Sequence, residues 1–170
     1  MEVMFLFYED LLKEADDEGL IVREKNLPGY DGRIYRNRIA INKNLPTQTD
    51  KACVLAEELG HYYTSTGDIL DQSDPAHRKQ ERHARLWGYN RAIGLSGIIH
   101  GYQKHCRNQH ELAECLHVSE EYLQEAIACY RDKYGCSVEV DGYLIVFEPC
   151  LAVYERFENI FMDNTPQGLL

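Results

Sequence analysis

The feature that most constrains the fold of this chain is the stretch LAEELGHYY at residues 55–63. In a helix, residues four apart leave the same face, so Glu57 and His61 would project together. Leucine and tyrosine residues of the same stretch fall on the opposite side, at the spacing of an apolar stripe that packs into a core. These apolar residues are Leu55, Leu59, Tyr62 and Tyr63. The pattern therefore predicts an amphipathic helix with one polar and one packed face.

The polar face has the arrangement of the H-E-x-x-H helix of zinc peptidases. In that helix two ligands at i and i+4 hold the metal, and the glutamate between them is the general base. Here Glu57 stands at the first ligand position in place of histidine, Glu58 at the position of the base, and His61 at the second ligand position. An ordinary amphipathic helix with two acids and a surface histidine has the same pattern. These residues alone leave both interpretations open.

Charge and composition exclude several classes of protein. The 170 residues carry a net charge of −10, which argues against a surface that follows nucleic-acid phosphates. No apolar run approaches the ~18 residues of a membrane span, and the first residues lack the pattern of a secretory signal. Six dispersed cysteines without a C-x-x-C pair are typical of reduced thiols. We expect a cytoplasmic protein with no membrane or nucleic-acid partner; nothing in the sequence indicates its oligomeric state.

Short segments before the stretch predict a helix followed by a small sheet. Apolar and acidic residues alternate at helical spacing over 4–18, and Gly19 is a typical helix end. A short strand is predicted at 20–22. The β-rich runs 33–35 and 38–41, two residues apart, indicate a hairpin.

After the stretch, a second helix is predicted to begin at 73–75, where a capping side chain precedes a proline. Glu81, Ala84, Arg85 and Gly88 share one face of this helix. Ala84 and Gly88 are small enough for another helix to approach closely, and Glu81 would then point at that neighbour. The competing interpretation is an i,i+4 ion pair of Glu81 with Arg85, which the residues alone favour.

The remaining chain is predicted to be helical over 95–134 and to end in a hairpin at 137–147 about an Asp-Gly turn. Two of its helices have the spacing of a helix-turn-helix, with Ser119 as the cap of the second. That second helix begins with Glu120 and Glu121 and contains no Arg or Lys before Arg131. Because acids at this position repel phosphates, we interpret the pair as a packing unit and not as a DNA reader.

Three longer runs together resemble one protein family. They are LAEELGHYYTSTGDILDQSD at 55–74, KQERHARLWGY at 79–89 and HELAECLHVSEEYLQEAI at 110–127. They resemble the ImmA/IrrE family of metallo-endopeptidases from phages and integrative mobile elements, and the resemblance extends from about Tyr8 to about Tyr154.

This resemblance implies an α+β, zincin-like fold. A small N-terminal sheet and a metal-binding helix would precede a mostly helical C-terminal half and a terminal β-hairpin. Residues 1–95 would form the peptidase core, and residues 96–170 a helical region packed on it. In zincins an edge strand holds the peptide substrate extended beside the metal, and we expect the hairpin at 33–41 to supply that edge.

The resemblance also implies a site. Glu57, His61 and Glu81 would bind Zn²⁺, with Glu81 matching the downstream glutamate motif of the family, here E-x-x-A-x-x-W. Glu58 would be the catalytic base. Because Glu57 adds an oxygen ligand, Mn²⁺ or another divalent ion is an alternative to zinc.

Asp68 and His77 are further candidates near this site. Asp68, seven residues beyond His61, is a candidate metal ligand or partner of a ligand histidine, although bracing a turn suits it better. His77 lies one turn before Glu81 and is an alternative ligand or substrate contact, against the commoner case of a solvent-facing histidine.

The substrate that the resemblance implies is a helix-turn-helix repressor of a phage or mobile element, cleaved at one site. Two alternatives stay open. The chain is a catalytically impaired pseudoprotease that binds the repressor without cutting it, or it is a DNA-binding regulator.

Overall fold

The N-terminal part of the fold is a helix followed by a three-stranded sheet, in a computed structural model that describes residues 7–64 and 75–156. The elements are α1 (Tyr8–Asp17), β1 (Ile21–Lys25), β2 (Gly32–Tyr35) and β3 (Arg38–Asn42). Helix α1 buries Tyr8, Leu11 and Ala15. Gly19, at φ +73°, then turns the chain into β1, as the sequence predicts for the end of this helix.

The strand order of this sheet is β1-β3-β2. Strand β1 runs parallel to β3, and β2 forms with β3 the predicted antiparallel hairpin. The central strand buries Ile39 and Ile41 against the helices. Both β1 and β2 are edge strands of this sheet, so the hairpin does contribute an edge.

Helix α2 (Gln48–Thr64) contains the stretch at 55–63 and packs between the sheet and the next helix. The Thr47 hydroxyl oxygen accepts a hydrogen bond from the backbone N–H of Asp50 at 3.0 Å and thereby caps the helix. Leu55 and Leu59 are fully buried as predicted. Tyr63, predicted to be a core residue, is exposed, and Glu58, predicted to lie on the polar face, is buried. Both differences arise because neighbouring elements cover α2 on more than one side.

Helix α3 (Pro75–Ala92) lies directly against α2. A Cβ atom added to Gly60 would lie 2.2 Å from the backbone oxygen of Ala84, and one added to Gly88 would lie 3.2 Å from that of Ala56. The predicted close approach at Ala84 and Gly88 is therefore confirmed. Gly60 is a third small residue of this contact, and it is not among the small residues predicted from the sequence.

The C-terminal part comprises three helices and a second sheet. They are α4 (Gly94–Gln103), α5 (Gln109–Leu116), α6 (Glu120–Tyr134), β4 (Ser137–Val140), β5 (Tyr143–Val146) and β6 (Ala152–Glu155). Helix α6 begins after Ser119, as the sequence predicts, and the Ser119 hydroxyl accepts a hydrogen bond from the Tyr122 N–H at 3.2 Å. Helix α6 buries Tyr122, Leu123, Ala126 and Tyr130, so the pair α5–α6 does pack into the core.

The prediction of a terminal β-hairpin was incomplete. Strands β4 and β5 form the hairpin, but β6 pairs antiparallel with β5 and makes a three-stranded sheet. The chain turns back after Pro149, and Ala152 then pairs with Val146. This pairing satisfies the backbone N–H and C=O groups on the second edge of β5. No helix in the described part of the chain is long and apolar enough to cross a membrane.

Candidate active site

The crossing of α2 and α3 brings His61 and Glu81 together. Because Gly60 has no side chain, the two helices approach closely enough for His61 Nε2 to lie 3.5 Å from Glu81 Oε2. The other carboxylate oxygen of Glu81, Oε1, accepts a hydrogen bond from Arg85 Nε at 3.0 Å. Both interpretations of Glu81 therefore hold at once: it points at the neighbouring helix, and it pairs with Arg85.

Glu58 lies on the side of α2 that faces β2. Its side chain is only 9% exposed, and a Cβ atom on Gly32 would lie 2.8 Å from its Oε1 atom. Burial, together with the charges of Glu57 and Glu81, raises the pKa of Glu58 to about 8. A hydrogen bond from the backbone of Ile34 acts in the opposite direction. Glu58 is thus held under an edge strand, out of bulk water.

Glu57 and His61 are both desolvated, and burial shifts their pKa values in opposite directions. Burial raises the pKa of Glu57 to about 7; Arg85 opposes this shift, and the charges of Glu125 and Glu81 add to it. Burial lowers the pKa of His61, against the influence of Glu81. The site therefore combines a neutral imidazole with carboxylates that disfavour one another's ionised forms.

The three predicted ligands are not gathered into one cage. Across residues 7–64 and 75–156, no group of three His, Cys, Asp or Glu side chains is placed to hold a metal ion. His61 and Glu81 meet, but together with Glu57 they do not form such a group. Asp68 lies outside the described residues, and of His77 only the backbone, in the first turn of α3, is described.

The donor chemistry of the site nevertheless fits a divalent cation. Neutral imidazole nitrogen and carboxylate oxygen are standard ligands of zinc. The charge of Glu81 raises the pKa of both Glu57 and Glu58, and the charge of Glu57 raises the pKa of Glu58, so negative charges lie close together here. A bound cation would relieve the repulsion between these charges.

A groove between α3 and α6 opens beside Glu81. Its volume is about 530 Å³, and its walls include Arg85, Tyr89 and Glu125. The Tyr89 hydroxyl donates a hydrogen bond to Glu125 Oε2 at 2.9 Å, which fixes α6 to α3 at this point. Glu125 is not among the site residues predicted from the sequence. No local signal could have found it, because it lies far along the chain from Glu57 and Glu81.

One comparison with known proteins identifies a family. A family model described as the IrrE N-terminal-like domain, Peptidase_M78, matches residues 15–128. This range includes α2, α3 and every candidate residue named above. No curated protein and no solved structure matches the chain significantly.

Proposed function

The chain belongs to the IrrE N-terminal-like family of metallopeptidases, and from this premise we propose that it is a metal-dependent endopeptidase with its reactive centre where α2 crosses α3. The observation that carries the proposal is the 3.5 Å separation of His61 Nε2 and Glu81 Oε2. Zinc bonds of ~2.0–2.2 Å in a tetrahedron hold two ligand atoms roughly 3.3–3.6 Å apart. The pair is thus spaced like two ligands of one ion.

Glu57 is the proposed third ligand. It lies one turn before His61 on α2, and the charge of Glu81 raises the pKa of Glu57, which indicates that the two carboxylates lie near each other. Zn²⁺ is the proposed ion, and Mn²⁺ is the alternative because two of the three ligands are carboxylates. Asp68 and His77 are the alternative ligands if Glu57 is not one.

Glu58 is the proposed general base. The metal ion would polarise the scissile carbonyl and make the attacking water more acidic. Glu58 takes the proton of that water as the water attacks, and delivers it to the leaving amine nitrogen. Its burial beneath β2 and its hydrogen bond from the Ile34 backbone fix the carboxylate in one place, which favours transfer along a defined path.

Strand β2 is the proposed holder of the substrate. In this proposal residues 1–95 form a zincin-like core, and residues 96–170 pack on it. In such a core the substrate pairs with an edge strand. Strand β2 is an edge strand, and Gly32 at its start lies against Glu58. A polypeptide paired along β2 would therefore pass close to the proposed base.

The proposed substrate is a helix-turn-helix repressor of a phage or mobile element, on the resemblance of the sequence to the ImmA/IrrE family. A pseudoprotease that binds this repressor without cutting it is the second candidate. Glu57 in place of histidine favours it, as does the lack of a third donor beside His61 and Glu81 in the described part of the chain.

The test is to purify the chain, measure its metal content by mass spectrometry, and incubate it with the repressor encoded beside its gene. We expect bound metal and one cut in the repressor, with cleavage lost on chelation and in Glu58→Gln. Stable binding without a cut would establish the pseudoprotease. A chain that holds metal and cuts another polypeptide, but neither binds nor cuts the repressor, would refute the proposed substrate.

A further inference from the structure

The N-terminal sheet is positively charged in an acidic protein. Residues 21–42 contain five Lys or Arg and two Asp or Glu, so this segment carries +3 in a chain whose net charge is −10. Charge of one sign concentrated on a single element creates a local potential that the net charge conceals.

The strand register places these charges on one face. Side chains alternate between the faces of a strand, and directly paired residues share a face. Arg33 and Arg23 both pair with Ala40, and Arg38 pairs with Ile21 and Tyr35. Lys25 follows two residues after Arg23 on the same side. We call this the outer face: Ile21, Arg23, Lys25, Arg33, Tyr35 and Arg38, all exposed, on the side opposite the buried Ile39 and Ile41.

No acidic residue of the three strands neutralises the outer face. Glu24 is the one acid in β1, β2 and β3, and its pairing with Ile41 places it on the inner side. There its Oε2 atom accepts a hydrogen bond from Lys51 Nζ at 2.8 Å. Among the described residues, no salt bridge involves the Lys or Arg side chains of the outer face. Arg23, Lys25 and Arg38 are therefore available to an external anion.

We propose that the outer face is a docking surface for an acidic segment of the polypeptide that the enzyme cleaves. The proposal rests on the proposed function and adds to it a chemical requirement on the substrate. Gly32, at the start of β2, lies against Glu58. Gly32 pairs with Ile41, so Glu58 lies on the inner side of the sheet, and a polypeptide docked on the outer face reaches the proposed base around the edge strand β2. Docking therefore raises the local concentration of the polypeptide at this edge.

A short acidic peptide fits this surface better than a nucleic-acid strand does. The sheet is three strands wide, or about 10 Å between its outer strands, and five residues long, about 16 Å. Helix α1, which packs beside β1, carries five acids and one lysine. A long polyanion would leave the basic face and meet these acids, whereas a few glutamates or aspartates would stay on it. The rings of Tyr30 and Tyr35 also already contact the guanidinium groups of Arg33 and Arg36, at 5.1 and 5.3 Å, which competes with the stacking of nucleic-acid bases on them.

The test measures binding by fluorescence anisotropy on the full chain. The probes are a short labelled peptide of alternating glutamate and serine, its lysine–serine counterpart, and a single-stranded oligothymidylate of equal charge. The test variant is Arg23→Gln/Arg38→Gln, and Lys25→Gln/Arg33→Gln repeats it on the same face should the first not fold. The matched control, Lys104→Gln/Lys133→Gln, removes the same charge elsewhere.

We expect the parent to bind the glutamate peptide, with affinity falling about 10-fold in the test variant and with added salt, and less than about twofold in the control. Equal binding by the test and control variants would overturn the proposal. The proposal would also fail if the oligothymidylate bound to the outer face more tightly than the glutamate peptide does. A molecular mass that doubles in the parent but not in the test variant would instead identify a second copy as the occupant.

These results are independent of catalysis. A chain that binds the peptide through the outer face but cuts no polypeptide would retain the docking surface and refute the proposed function. The opposite result is a chain that cuts polypeptides but binds the peptide with the same affinity in the parent and in the test variant. That result would retain the proposed function and refute the docking surface.

Discussion

Replacing Gly60 with alanine tests whether the α2–α3 contact builds the site. The new Cβ atom would lie 2.2 Å from the backbone oxygen of Ala84 and 3.0 Å from its carbonyl carbon, so the helices must separate by about 1 Å to restore ordinary contact. Overpacking costs about 1–3 kcal/mol, and a rigid backbone atom places this case near the upper limit. Alanine returns about 1 kcal/mol through its helix propensity.

The net expectation for Gly60→Ala is a loss of about 2 kcal/mol in the free energy of unfolding, or roughly 4–8 °C in Tm for a chain of this size. Urea denaturation and thermal melting measure this loss. Because the separation also lengthens the distance between His61 and Glu81, the affinity for metal, measured by calorimetric titration, should fall as well.

Gly88→Ala is the matched control at the same crossing. Its Cβ atom would lie 3.2 Å from the Ala56 oxygen, a contact that yields after a shift of a few tenths of an ångström. We expect its stability to stay within about 1 kcal/mol of the parent, since propensity and crowding nearly cancel. If Gly60→Ala were as stable as the parent and bound metal equally well, the contact would not position the site.

Further predictions concern the chemistry of the site. Glu58→Gln should retain fold and metal but lose cleavage by ~100-fold or more, as the removal of a general base requires; a variant with parental turnover would exclude Glu58 from the mechanism. His61→Ala should lose most bound metal by elemental analysis, whereas unchanged metal content would show that the site has been wrongly assigned. Glu57→His should bind zinc more tightly and move the lower limb of the pH–rate profile to lower pH, because replacing a carboxylate with imidazole leaves the site more positive; if neither changes, Glu57 is not a ligand.

Local sequence patterns identified most elements of the fold. The spacing of residues 55–63 predicted α2, the paired β-rich runs predicted β2 and β3, and Ser119 marked the start of α6. These predictions succeed because periodicity, caps and tight turns depend on residues a few positions apart. Strand β6 was missed because its place in the sheet depends on β5, which must offer an edge before a third strand can pair.

The environment of the candidate site depended on contacts distant in sequence. The chain alone placed Glu57, Glu58 and His61 on one helix and identified Glu81 through the family motif. It did not show that Glu58 would be buried under β2, since that follows from the packing of a strand that precedes α2. It also did not show that Glu125 of α6 would affect the ionisation of Glu57.

The sequence by itself determined which donor groups are available and on which helices they lie, because helical spacing is a local property. Only the tertiary structure decided that His61 and Glu81 would meet at 3.5 Å. That distance depends on how closely two helices can approach, and the approach is set at Gly60 and Ala84, where backbone meets backbone without an intervening side chain. Helix separation is a property of both packed surfaces together, and neither segment encodes it alone.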